Sequence, residues 1–383
     1  MNVYILTEIT KRELDSNLLL SILMAEKNGE VLISNMDNLN YLNKKNLLKK
    51  GILHTKSLVH DETKQNFHLD LTKNGILITS LDEENGLVKK NLNNFAERRF
   101  TKDALKLVEK VFCWGQHDFE VLKKKYNEHE SKFILTGASR TDTWSKKFKS
   151  YWRDQNNEKK EEDIVLISLN FGLVNGHYSI EEILKREDKA GYFNRCKDSK
   201  NEILQIYEKS KKLIIEFKKL INYLSQELPD VKFHVRPHPR EKIVTWKKSI
   251  NERDNVIINN DGNINSNLSH SKILIHNNCT TAFQASMYDL PVISYAPLEN
   301  NDYSVSNHLG TIIETEIDAK KNIEQILHTS NEIKYKDRES IIESKLFIPK
   351  NSLCSENIVN TWQNLFNTKL KNCSKNNWKI ITI

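Results

Sequence analysis

Short runs rich in valine, isoleucine and leucine alternate along the chain with stretches whose apolar positions recur every three or four residues. The runs predict strands at Val3–Leu6, Glu30–Ile33, Gly51–His54, Gly75–Leu81, Val111–Trp114 and Lys132–Leu135 in the first half. In the second half they predict strands at Ile164–Leu169, Val231–Arg236, Asn255–Ile258, Lys272–His276 and Val292–Tyr295. Between the first two strands, Lys11–Lys27 reads as a helix. Leu14, Leu18, Ile22 and Ala25 fall near the 3.6-residue period, and Thr10 with Glu13 has capping-box spacing. Strand–helix alternation of this kind implies α/β architecture, with parallel sheets covered by helices.

The pattern breaks once. Residues 151–163, YWRDQNNEKKEED, are polar, highly charged and without apolar periodicity, which predicts a linker. The chain then divides into a first domain over 1–150, the linker 151–163, a second domain over 164–350, and a C-terminal segment 351–383. The helical stretch Ser355–Leu370 in that segment is expected to pack back on the first domain. A chain of 383 residues has room for two such domains. Two parallel α/β domains joined by a linker are expected to hold a ligand between them.

Composition narrows the class. Hydrophobic residues make up 38 % and charged residues 28 %, and the mean hydropathy is −0.60. The chain is polar, but its clear apolar runs exclude a disordered protein. The run Leu18–Ala25 is too short to span a bilayer, and no signal-peptide pattern opens the chain. The five cysteines are odd in number and include no C-x-x-C pair, which argues against a disulfide framework and a structural zinc site and for a reducing cytoplasm. The formal charge of +7 fits a lysine-rich solvated surface, and leaves room for peripheral association with the anionic inner face of a membrane. There is no RNP, zinc-finger or P-loop pattern, so neither nucleic acid nor ATP is the expected partner.

Chemistry is expected beyond the carboxyl ends of the strands. There the sequence places Thr7-Glu8 with Arg12, then Asp82-Glu83-Glu84, then Thr136-Gly137 to Arg140-Thr141-Asp142 in the first half. In the second half it places Asn170-Phe171-Gly172, Arg236-Pro237-His238-Pro239 and His276-Asn277-Asn278-Cys279-Thr280-Thr281. Two prolines brace His238, so its imidazole could donate to a phosphate oxygen without ordering a loose loop. His234 and His238 do not read as a zinc pair, because four strand residues span about 13 Å. Thr280 and Thr281 open a helical stretch, Ala282–Met287, whose N-terminus could receive an anion or could simply be capped by a threonine. These two phosphate-seeking features are expected on neighbouring strands. Glu83, Glu84 and Asp142 are candidate bases or nucleophiles, with a solvated acidic turn as the plain alternative. Glu13 reads as a cap. Arg12 and Arg140 could clamp a carboxylate or phosphate.

At these motifs, taken in order over most of its length, the chain resembles a bacterial surface carbohydrate biosynthesis family with GT-B glycosyltransferase architecture. The resemblance implies two Rossmann-like parallel-sheet domains facing a cleft, the first for the acceptor and the second for the donor. Members are similar to transferases that move Kdo or related nonulosonic acids from CMP-activated donors to a glycan or lipid-linked glycan, with retention and without a metal or other cofactor. The resemblance implies that Arg236, His238, Asn170, Gly172, His276, Asn278, Thr280, Thr281 and Gln284 bind the donor nucleotide. It further implies that Glu83, Glu84 or Asp142 acts with His238 in catalysis, and that Glu8, Arg12 and Arg140 face sugar or acceptor. The chain departs from the pattern at Gln284, where a glutamate is common, and at Ala138-Ser139, where Asn-Pro is expected. Other GT-B activities, CDP-alditol phosphate transfer or nucleotide-sugar epimerisation, and a non-catalytic partner on the same fold remain alternatives.

Overall fold

Segments such as Ile164–Ser168, read IVLIS, can satisfy their backbone only by pairing on both sides and bury almost every side chain when they do. In the computed structural model, which describes residues 1–59, 61–84, 87, 92–154, 163–298, 304–329 and 335–370, they form two six-stranded parallel sheets. The described residues of 1–86, 92–143 and 343–370 make one compact unit, and Leu87 with those of 144–342 a second.

In the first unit the strands are β1 (Asn2–Leu6), β2 (Glu30–Ser34), β3 (Gly51–Thr55), β4 (Ile76–Leu81), β5 (Lys110–Cys113) and β6 (Phe133–Leu135), in the order β2-β1-β3-β4-β5-β6. In the second they are β7 (Ile164–Ser168), β8 (Lys232–Arg236), β9 (Val256–Ile258), β10 (Ile273–His276), β11 (Val292–Tyr295) and β12 (Thr311–Ile313), in the order β12-β11-β10-β7-β8-β9. The direction of winding reverses between β1 and β3 in one sheet and between β7 and β10 in the other. Such switch points open a crevice at the carboxyl ends of the strands. The strand β12 has no counterpart in the sequence reading. Moreover β8 and β10 are not neighbours: β7 lies between them, so the two phosphate-seeking features stand about 10 Å apart, two strand spacings.

Three expectations change here. The helix Thr10–Glu26 buries Glu13, Ser16, Asn17, Leu20 and Met24, not the predicted stripe, and Leu18 and Ile22 are exposed. Its N-cap is Ile9 rather than Thr10, and Glu13 supplies the reciprocal contact by accepting from the Ile9 and Glu8 amides. Tyr151–Arg153, placed in the linker, lie in the helix Lys149–Asp154 of the second unit. There Trp152 is fully buried and its carbonyl accepts from Ser266 Oγ, while Arg153 Nε donates to the Ser269 carbonyl. Residues 155–162 lie outside the described residues. Residues 343–350, placed in the second domain, belong to the first unit, where the Phe347 amide donates to the Trp114 carbonyl. The helix Cys354–Leu365 packs in the same unit. Its Trp362 indole N–H donates to Thr79 Oγ1 at 3.0 Å, and its ring meets His54 edge-on.

Candidate functional sites at the two sheet edges

Thr7-Glu8 and Lys56-Ser57 follow β1 and β3, so the first switch point collects charge. Lys56 Nζ lies 2.9 Å from Glu13 Oε1 and 3.0 Å from Glu8 Oε2. Lys64 Nζ lies 3.2 Å from Glu8 Oε1 and donates to Ser57 Oγ at 2.8 Å. Arg12 divides its guanidinium between Glu13 and Glu84, at 3.1 and 3.0 Å. Burial alone would raise the carboxyls of Glu8 and Glu13, but the lysines outweigh it for Glu8, and backbone amides with Lys56 outweigh it for Glu13, so both lie below the usual range. Burial would lower the Arg12 guanidinium, and Glu84 and Glu83 push it higher instead.

Beside this cluster, β4 delivers Asp82-Glu83-Glu84. Glu83 is buried, 3.0 Å from Arg140 Nη1, and Arg140 stacks over Trp114 at 5.8 Å. Burial pushes the Glu83 carboxyl above its usual range against the pull of Arg140. Asp82 is pushed up by burial as well, and pairs with Arg99 Nε at 2.8 Å. Glu13, Asn17, His54, Lys56 and Glu83 line a cavity of about 10 Å³, together with Leu6 and Leu81, room for a single water. Glu84 is half-exposed and held by Arg12. Residues 85–86 lie outside the described residues.

Asp142 is not available as a base. Both carboxylate oxygens are taken by the start of the helix Cys354–Leu365: Oδ1 accepts from the Cys354 amide at 2.9 Å, and Oδ2 from the Ser355 amide and hydroxyl at 2.8 and 2.6 Å. Its chemistry is that of an N-terminal cap, supplied from 212 residues away.

In the second unit the turn after β8 holds His238 in one state. The Arg240 amide donates to His238 Nδ1 at 3.2 Å, so the neutral ring carries its proton on Nε2. Gly172, after β7, approaches this ring: a side chain there would meet His238 Nδ1 at 3.8 Å and Arg240 Cβ at 3.2 Å. Asn170 is exposed beside it. Arg236 does not face a ligand. Its guanidinium is buried, donates to the carbonyls of Asp261 and Gly262 and to Asn267 Oδ1, and is lowered to about 10 by burial. It fastens the end of β8 to the loop before the helix Ile264–His270.

At the end of β10, His276 is fully buried. Its Nδ1 accepts from the Cys279 amide at 3.4 Å, its Nε2 lies 3.0 Å from Ser294 Oγ, and burial lowers it to about 3. It is a neutral structural imidazole and contacts no open edge. Asn278 takes a left-handed backbone, φ 49°, and bridges to Ser304 and Asn307, a conformation asparagine tolerates. Thr281 Oγ1 accepts from Ser168 Oγ at 3.2 Å and contacts Cys279 Sγ at 3.0 Å. Thr280 is the half-buried N-cap of the helix Thr281–Met287 and makes no side-chain cap bond. Gln284 is buried, with its amide turned to Asn265 Oδ1. Of the residues assigned to the nucleotide, the structure therefore leaves Asn170, Gly172, His238 and Thr280 at the sheet edge, with Thr281 just beneath it.

Three residues escaped the sequence reading. Lys56 and Lys64 follow β3, after which the sequence carries no motif beyond scattered lysines. Glu241 closes the His238 turn as a buried carboxylate; its signal was an acid two residues after the second proline. Among the described residues no three histidine, cysteine or carboxylate side chains gather as a metal site, and no helix is long and apolar enough to cross a membrane.

No protein-family model matches the chain, and no curated protein matches its sequence. Solved structures do match its fold. MnaA of S. aureus bound to UDP aligns over 96 % of both chains at 12 % identity, with a TM-score of 0.54. A putative UDP-N-acetylglucosamine 2-epimerase of Listeria monocytogenes aligns over 99 % of both at 8 % identity and 0.56. The wall teichoic acid polymerase TagF aligns over 97 % of this chain and 90 % of its own at 10 % identity and 0.58. The chain has the GT-B-like fold of these structures.

Proposed function

We propose that the protein is a GT-B enzyme of surface-glycan biosynthesis that draws a sugar from a nucleotide-activated donor. In its specific form the reading is transfer of Kdo or a related nonulosonic acid from CMP to a glycan, free or lipid-linked. The observation that carries it is the contact at His238: the Arg240 amide donates to Nδ1 at 3.2 Å, which puts the proton of the neutral ring on Nε2. Breaking a sugar–phosphate bond builds negative charge on the departing phosphate, and a preorganised N–H donor stabilises that charge in the transition state. Gly172 lies against the same ring, where a Cβ would stand 3.8 Å from Nδ1. On the sugar side the reading assigns Glu83 as base or nucleophile: it is buried, paired with Arg140 at 3.0 Å, and its carboxyl is pushed above the usual range by burial. Glu8, anchored by two lysines, is a rigid acceptor for a glycan hydroxyl. The fold neighbours that bind UDP or UDP-GlcNAc support a nucleotide-linked ligand.

The test pairs calorimetry of CMP, CDP and UDP with donor turnover. His238→Ala should lower turnover by roughly 10² to 10³, the scale of losing one oxyanion donor, with the fold intact. Near-wild-type turnover in that variant overturns the reading. An epimerase reading is favoured by one observation, full-length alignment with 2-epimerase structures. Conversion of UDP-GlcNAc without an acceptor would establish it in place of transfer.

A further inference from the structure

The turn Arg236-Pro237-His238-Pro239-Arg240 has few backbone donors to spend, because its two prolines have none. Its two remaining amides after Arg236 are both committed within the turn. The Arg240 N–H goes to the ring itself, and the His238 N–H goes to Glu241 Oε1 at 2.9 Å. The same oxygen accepts from the Phe171 amide at 2.9 Å, so one carboxylate oxygen joins the exit of β7 to the exit of β8. The other oxygen accepts from Trp246 Nε1 at 2.7 Å and Asn175 Nδ2 at 3.3 Å. Trp246 is fully buried against Phe171, which in turn packs on Phe217. Glu241 itself is 3 % exposed.

We infer that Glu241 is a positioning residue that sets the place and tautomer of His238 and locks the Asn170–Gly172 loop beside it. All four of its neighbours are donors, so the position requires an acceptor at both ends of the side chain. A carboxylate meets that requirement; a carboxamide presents an NH₂ group to one pair of donors and leaves them opposed. Truncating the side chain would strand buried N–H groups on two loops at once. The inference rests on the reading of His238 as the phosphate donor for its kinetic consequence, but its structural half stands without it.

The experiment has two arms. In the first, ¹⁵N NMR of the histidine rings reads the tautomer directly. Wild type is expected to carry the proton on His238 Nε2, Glu241→Gln to show a mixture, and Trp246→Phe, which removes only one donor from the far oxygen, to keep the wild-type tautomer. A wild-type proton on Nδ1, or a shift in Trp246→Phe as large as in Glu241→Gln, overturns the inference, and the wild-type result does not depend on Glu241→Gln folding well. In the second arm, turnover is compared in a double-mutant cycle. Glu241→Gln should lower kcat by roughly tenfold or more with a smaller change in KM, and should add less than about twofold in the His238→Ala background. Full additivity overturns the inference. If His238→Ala alone has no effect, the functional reading fails while the tautomer arm still decides this one.

Discussion

Lys56 Nζ sits 2.9 Å from the carboxylate of Glu13, with both side chains almost wholly removed from solvent. This pair joins β3 to the first helix at the switch point of the first sheet. Removing one partner of a buried pair leaves an uncompensated charge. Lys56→Met should therefore cost about 3 kcal/mol, tempered because Arg12 and two backbone amides still serve Glu13. Urea denaturation measures it; a loss below about 1 kcal/mol would show the pair to be solvent-screened.

The assignment of Asp142 to the cap makes a sharp prediction. Asp142→Ala should lower stability by about 1–2 kcal/mol, the scale of losing a cap, and Asp142→Asn by less. Turnover of Asp142→Asn, measured well below its melting temperature, should match wild type. A large loss of kcat in a folded Asp142→Asn protein would return the residue to catalysis.

Asp118 accepts from the Trp114 and Gly115 amides, yet burial outweighs these contacts and raises its carboxyl to about 6. The unfolded chain loses this proton near pH 4, so between about pH 4 and 6 the native state holds a proton that the unfolded state has released. Stability from this group is complete below that window and falls as pH rises through it, by up to about 3 kcal/mol. Glu8 and Glu13, held low, contribute in the opposite sense and lose their part as pH falls. Comparing wild type with Asp118→Asn isolates the effect: on going from pH 6 to pH 4 the melting temperature of wild type should rise relative to that of the variant. A pH-independent difference would rule out the raised carboxyl.

Gly176 is packed so closely that a Cβ would stand 2.2 Å from the Gly172 carbonyl oxygen. Gly176→Ala must displace the loop beside His238. The expected result is a loss of about 1–3 kcal/mol in stability together with weaker nucleotide binding by calorimetry. Unchanged affinity would detach this loop from the nucleotide.

Most of the strand framework was legible because apolar runs in parallel sheets are buried on both faces and stand out from their flanks. The strand Thr311–Ile313 was not, since three residues after a glycine carry no period. The first helix was placed correctly but turned wrongly: its inner face is Glu13, Ser16 and Asn17, polar residues buried by hydrogen bonds that hydrophobic periodicity does not register. The His238 turn was found through its prolines. Its keystone, Glu241, was not, because its partners lie on two segments either side of it, Phe171 and Asn175 in the turn after β7 and Trp246 on the following helix. Asp142 and Arg236 looked chemical for the same reason in reverse, as their true partners are distant in the chain.

The first unit is interrupted in sequence: Trp362 reaches Thr79 and Ser355 reaches Asp142 only after the whole of 144–342 has been translated. A ribosome therefore releases every residue of the second unit before it supplies the helix that completes the first. The amino-terminal half must wait, with the surface that Trp362 will cover still wet, while the part made later is already free to fold.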